Sequence, residues 1–160
     1  MTFNKSGGVE VFIEIEKFSN QKCEINKTTG KLELDRILPY PYFYPYAYGF
    51  IPNTLAMDGD DLDALIITDI PLKKDNTYKA KIVGVLVMED EKGMDEKVLC
   101  VLDEDSININ DISNFETDVL DNIKWFFENY KNKTPGKWSN VTGYENREYA
   151  IHLYETTIIK

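Results

Sequence analysis

Apolar and polar residues alternate through Val9–Glu16, VEVFIEIE, the period of a strand with one buried face. Cys23–Leu34 holds two short alternating runs on either side of Lys27-Thr28-Thr29-Gly30, a pattern that predicts a hairpin. Pro39–Pro52, PYPYFYPYAYGFIP, carries too many prolines to read as a central strand. Ala64–Ile70, Lys79–Asp90 and Val98–Asp105 are rich in Ile, Val and Leu and predict further strands. Helical spacing comes late. Ser113 and Glu116 match a capping box, and Val119, Leu120, Ile123, Phe126, Phe127 and Tyr130 recur at the period of a helix over residues 116–131. Gly136 punctuates its end, and a second helix starts near Asn146 and runs through Ala150, Ile151 and Tyr154. Short strands at close spacing followed by two helices predict a mainly antiparallel barrel with helices packed outside, one domain over residues 1–160.

A chain of 160 residues can bury a core of its own. Its net charge of −10 argues against a nucleic-acid partner, since such affinity rests on Lys and Arg neutralising phosphates. A small anion held by a few local cations or by metal ions remains compatible with that charge. No run of 18 apolar residues is present, so no membrane span is predicted. The opening stretch, MTFNKSGGVEVFIEIE, turns acidic and strand-like too early for a signal peptide. Cys23 and Cys100, far apart in a chain without a leader, read as reduced thiols of a cytoplasmic protein. With His152 the one histidine, a zinc site of Cys and His is not expected. Any metal would take oxygen ligands, which suits Mg²⁺, Mn²⁺ or Ca²⁺.

The oxygen ligands are crowded into DGDDLDALII, Asp58–Ile67. Two unit charges about 5 Å apart at an effective dielectric near 20 repel by roughly 3 kcal/mol, so something cationic should sit among these carboxylates. Asp58 and Asp60, two apart in an extended segment, would lean the same way, and a turn after Asp60 could bring Asp63 round to them. A solvated acidic turn before a strand is the bland alternative. An EF-hand is not expected, because that loop wants acids at positions 1, 3 and 5, glycine at 6 and glutamate at 12, and here Gly59 is second, Leu62 fifth and Asp69 twelfth. A second cluster, MEDEKGMDEK, places Asp90 and Asp95 about a turn at Gly93, with Lys97 next. It reads equally as a solvated hairpin tip. Two acidic clusters at the ends of core strands could meet and hold more than one divalent ion, an arrangement that clamps phosphoryl groups and activates water. Tyr40, Tyr42, Tyr44, Tyr46 and Tyr48 alternate along one segment, either as packing aromatics or as phenols able to bond a phosphate oxygen. Lys22, Arg36, Lys97, Lys131 and Lys137 are surface charges when taken singly, and a pocket for a compact polyanion when taken together.

These blocks, in order, resemble the soluble family I inorganic pyrophosphatases: IEI with Glu14, KCEI with Lys22 and Glu24, DR with Asp35 and Arg36, FYPYAYGFIPNTL with Tyr44 and Tyr48, DGDDLD, the Asp90–Lys97 segment, FFENYK with Tyr130 and Lys131, then GKW and GYEN. The chain departs from the family pattern at Asp61, where proline or glutamate is usual. The resemblance implies an OB-type five-stranded antiparallel barrel and Mg²⁺-dependent hydrolysis of pyrophosphate to two phosphates, with Mn²⁺ or Zn²⁺ as substitute metals. It implies that Asp58, Asp63 and Asp95 ligate metal and that Asp60 bridges metals and takes a proton from the attacking water. Asp90 would hold a substrate-bound metal, and Glu14 would act through water. Lys22, Arg36, Tyr48, Tyr130 and Lys131 would hold phosphate oxygens, with Lys97 near the metal carboxylates and Glu24 lining the pocket. A homo-oligomer follows by the same resemblance, a hexamer favoured over a dimer by the chain's length. Two readings of other classes stand beside it: a single-stranded nucleic-acid module, which would need a basic groove, and an acidic calcium binder without turnover.

Overall fold

The computed structural model describes residues 7–159, apart from the side chains of residues 106 and 107. The first six residues, part of the stretch read against a signal peptide, lie outside the described residues, as does residue 160. Five strands close into a ring: β1 (Gly8–Ile15), β4 (Ala47–Ile51), β5 (Leu62–Ile66), β8 (Lys97–Leu102) and β6 (Asn76–Asp90), which returns to β1. Every seam is antiparallel except β5 with β8, which is parallel and pairs Asp63 with Lys97. The hairpin of β2 (Gln21–Asn26) and β3 (Lys31–Ile37) forms a sheet of its own. A two-residue strand β7 (Gly93–Met94) folds back on the end of β6, and β9 (Ser139–Glu145) pairs with β6 from outside the ring. Helices α1 (Thr117–Asn129) and α2 (Arg147–Thr157) complete the order.

Strand β8 reads as a continuous apolar run because both of its faces are buried. Along β8, Leu99 and Val101 join one core with Tyr44, Tyr48, Phe126 and Phe127, while Val98, Cys100 and Leu102 join a second with Ile13, Ile66 and Ala150. Asp63 and Lys97 occupy the positions that alternate with Leu65 and Leu99, so they stand at the edge of the first core. On β1 the register slips: Ile13 pairs with Gly49 but Ile15 with Tyr48, which leaves Glu14 as the extra residue of a bulge. Ile13 accordingly enters the second core and Ile15 the first. Gly49 permits the bulge to sit this close, since a Cβ there would lie 1.7 Å from the carbonyl oxygen of Phe12.

Three sequence expectations are corrected. The proline-rich segment does contribute a central strand: Ala47–Ile51, between Pro45 and Pro52, is itself free of proline and keeps all its ladder donors. The capping box belongs to Asp111 and Asn114, not to Ser113 and Glu116. Asp111 accepts from Ser113 N–H at 3.2 Å, Asn114 accepts from Asp111 N–H at 3.1 Å, and a 3-10 turn over Ile112–Asn114 precedes the long helix. The α1 N-cap, Glu116, makes no side-chain capping bond. Residues 57–60 form a turn and bends, so Asp58 and Asp60 do not share the face of an extended strand. The β9 strand carried too few alternating apolar residues to be read from sequence. At the second helix the expected start holds, with Asn146 Oδ1 accepting from Tyr149 N–H at 3.0 Å.

Candidate active site

The acidic loop is shaped by short-range bonds. Thr54 Oγ1 accepts from Leu62 N–H at 2.8 Å and donates to the carbonyl of Ile51, which closes the base of the loop. Asp58 Oδ1 accepts from Asp60 N–H at 3.0 Å, and Gly59 between them has φ +90°, a conformation that needs glycine. The turn delivers Asp58 to Asp63 at the start of β5, and the β6–β7 hairpin delivers Asp95. One carboxylate oxygen from each of Asp58, Asp63 and Asp95 lies within 4.8 Å of the other two. Three hard oxygen donors this close fit a divalent cation.

Lys97 is buried against this trio. Its Nζ donates to Asp63 Oδ2 at 2.8 Å, to Asp95 Oδ2 at 2.9 Å and to Tyr48 Oη at 2.7 Å, over the rings of Tyr48 and Phe127. Burial alone would push the ammonium toward neutrality, but the carboxylate of Asp63 leads a set of partners that hold it well above its ordinary pKa. The trio itself is electrostatically divided. Burial raises Asp63 to about 7, and Asp95 adds to the rise. Burial acts the same way on Asp95, yet Lys97 outweighs it and keeps that carboxyl below its ordinary range. Glu14, on the β1 bulge, accepts from Ile25 N–H at 2.8 Å. Its burial raises it to about 7 despite that bond, with Asp63 pushing the same way.

Basic groups face these acids from two other elements. The β2–β3 hairpin supplies Lys22, which bonds Asp35 at 2.9 Å and Glu24 at 3.0 Å, and Arg36, whose Nη1 donates to Thr134 Oγ1 at 2.9 Å. The Nε of Arg36 is buried with no hydrogen-bond partner among the described residues. Just past α1, Lys131 bonds Asp90 at 2.9 Å, both of them buried, and Glu91 at 3.2 Å. Tyr44, Tyr48, Phe126, Phe127 and Tyr130 form the packed aromatic floor that fixes these positions.

The residues to which the resemblance gives a role line one cavity of about 140 Å³: Glu14, Lys22, Glu24, Arg36, Tyr48, Asp58, Asp60, Asp63, Asp90, Asp95, Lys97, Tyr130 and Lys131; Tyr40, Tyr42 and Tyr46 of the tyrosine stretch do not line it. Asp60 lines it from an exposed position outside the trio. Sequence reasoning missed Glu91, which bonds Lys131 and accepts from Trp138 N–H at 3.1 Å, and Thr134, the partner of Arg36. Glu91 follows Asp90 directly, the signal that could have marked it. A larger hollow of about 610 Å³ between β1 and β6 holds Lys79, Lys81 and Glu10, but none of these carboxylates.

Carboxylates close enough to hold a divalent cation, faced by cations from separate elements, make a site whose chemistry suits a compact phosphate anion. The sequence profile of the inorganic pyrophosphatases matches residues 11–160. The inorganic pyrophosphatase of Helicobacter pylori is 47% identical over 152 residues, covering 92% of this chain and 88% of that protein. That of Thermus thermophilus is 44% identical over 156 residues, covering 95% and 89%. A solved structure of the Helicobacter pylori enzyme superimposes with a TM-score of 0.93 at 43% identity, covering 99% of this chain and 95% of the other. The chain belongs to the inorganic pyrophosphatase family.

Proposed function

We propose that this chain hydrolyses inorganic pyrophosphate to two orthophosphates with Mg²⁺ as its metal, and that it does so in the cavity between the acidic loop and the hairpin. The observation that carries the reading is the meeting of the Asp58–Asp63–Asp95 trio with Lys22, Arg36 and Lys131 around one small cavity. A bound divalent cation supplies charge neutralisation and a lowered pKa for water. The protein's own groups supply the rest. Asp58, Asp63 and Asp95 would hold the cation and Asp90 a further one, with Glu14 acting through water. Arg36, Lys22, Tyr48, Tyr130 and Lys131 hold phosphate oxygens. Tyr48 and Tyr130 are kept protonated, chiefly by burial, so both phenols can donate. Asp60, exposed at the rim, takes the proton from the attacking water, and Glu24 keeps Lys22 oriented. The free, buried thiols of Cys23 and Cys100 support a cytoplasmic setting.

Purified protein given pyrophosphate and Mg²⁺ should release two orthophosphates per pyrophosphate, and excess chelator should stop the release. Undiminished release in chelator would contradict the metal requirement, and no release with Mg²⁺ would contradict the substrate. For the assembly, we propose a homo-oligomer, a hexamer before a dimer, which sedimentation of the purified chain tests. A monomer at micromolar concentration would exclude it.

A further inference from the structure

The β2–β3 hairpin carries Lys22 and Arg36 over the carboxylates of the ring, yet it is a separate sheet. Its root is tied to the rest of the chain, with Leu38 N–H donating to Asn20 O at 2.7 Å and Tyr44 N–H to Ser19 O at 2.9 Å. Its tip is a tight turn, in which Asn26 Oδ1 accepts from the N–H groups of Thr28 and Thr29 at 2.9 and 3.1 Å. From this tip Lys27 reaches the acidic loop. Its Nζ pairs with Asp61 Oδ1, and the ammonium sits 5.2 Å from the ring centre of Phe50. The Asp61 side chain is 18% exposed and that of Lys27 60%. Beneath the pair lies a second cavity of about 150 Å³, lined by Glu14, Glu24, Phe50, Asp60 and Asp63 among others. The bridge therefore spans one wall of the site.

We propose that Lys27 and Asp61 form a latch that sets the hairpin at its working distance from the acidic loop. Asp61 is a carboxylate of that loop outside the metal-fitting trio, and Lys27 neutralises it. With the latch open, the tip would move away and loosen the two contacts next to it, the Ile25 N–H bond to Glu14 and the Glu24 carboxylate that orients Lys22. The unpaired charge of Asp61 would also repel an incoming anion. Both are positioning residues that govern how well substrate is held, while the groups that turn it over stay in place. This inference rests on the pyrophosphate reading of the site.

A double-mutant cycle of Lys27→Ala, Asp61→Ala and the two combined tests it on the full chain with Mg²⁺ and pyrophosphate. A bridge with one exposed partner is worth little, so KM should rise about two- to fivefold in each single variant with kcat within about twofold. The combined variant should be no worse than the poorer single one, because both remove the same contact. Hydrogen exchange without pyrophosphate supplies a readout independent of activity: the amides of Thr28, Thr29 and Gly30 should exchange faster in all three variants. Unchanged KM, effects that add in the combined variant, or unchanged exchange at the tip would each overturn the latch. A parent that exchanges as expected but leaves pyrophosphate intact would instead overturn the substrate reading.

Discussion

Lys97 and Asp63 are register partners across the one parallel seam of the ring, and their side chains meet at 2.8 Å. A parallel pair in register points both side chains to the same face. The ammonium thus lies among carboxylates that would otherwise repel one another without compensation. The crowding of DGDDLD is offset from within by a lysine that the fold brings from 34 residues away.

Replacing Lys97 by Met should therefore destabilise the metal-free protein by about 3–5 kcal/mol, the usual penalty for leaving buried charge unpaired. Added Mg²⁺ should restore part of the loss by neutralising Asp63 and Asp95. Urea unfolding with and without Mg²⁺ measures this, and a loss below about 1 kcal/mol in the absence of metal would show that the lysine is not the trio's counter-charge.

Gly49 sits under the β1 bulge that carries Glu14. A methyl group there would meet backbone, the Phe12 carbonyl oxygen at 1.7 Å and the Glu14 nitrogen at 3.1 Å, and backbone in a paired strand cannot step aside. Gly49→Ala should cost about 3 kcal/mol or more and lower the thermal midpoint by several degrees. A midpoint equal to that of the parent would mean that the bulge is not packed as described.

The pH dependence of stability follows from Glu14 and Asp63, both raised to about 7. In the unfolded chain they release their protons near their ordinary values, about 4, while the folded protein still holds them. The folded state then binds more protons than the unfolded one, so metal-free stability should fall as pH rises from about 5 to 7. Glu14 alone would contribute on the order of 3 kcal/mol. The carboxyls of Asp35, Glu91, Asp95 and Asp111 are held low, and their stabilisation is already complete above about pH 5, so they do not cancel this slope. Thermal unfolding in chelator at pH 5, 6, 7 and 8 should show the decline, and saturating Mg²⁺ should flatten it. A metal-free stability that rises across this range would contradict the burial assigned to these two acids.

Much of this was legible because local pattern and tertiary packing agree. The alternation of Val9–Glu16, the turn at Lys27–Gly30 and the helical spacing of Ile123, Phe126 and Phe127 all follow from faces that the fold buries. What stayed hidden depends on long-range geometry. The parallel seam that brings Lys97 to Asp63, the bulge at Glu14 and the strand within the proline-rich segment are set by partners distant in sequence. The cap at Asp111 was missed because a 3-10 turn intervenes before the helix. At the site, the acidic clusters announced themselves by density. Glu91 and Thr134 did not, because each works through a neighbour, Lys131 and Arg36.

The most direct test of the account compares two adjacent aspartates. Asp60 lines the cavity and is assigned the proton of the attacking water, whereas Asp61 pairs with Lys27 and lies outside the metal-fitting trio. Asp60→Asn is nearly isosteric and relieves repulsion, so the variant should fold, which circular dichroism checks. A positioned general base contributes about 10²–10⁴-fold, and kcat at saturating Mg²⁺ and pyrophosphate should fall by that much or more. Asp61→Asn should change the same kcat by less than about tenfold, under ~1.4 kcal/mol in barrier. A crippled Asp61→Asn beside a nearly normal Asp60→Asn would contradict the assignment.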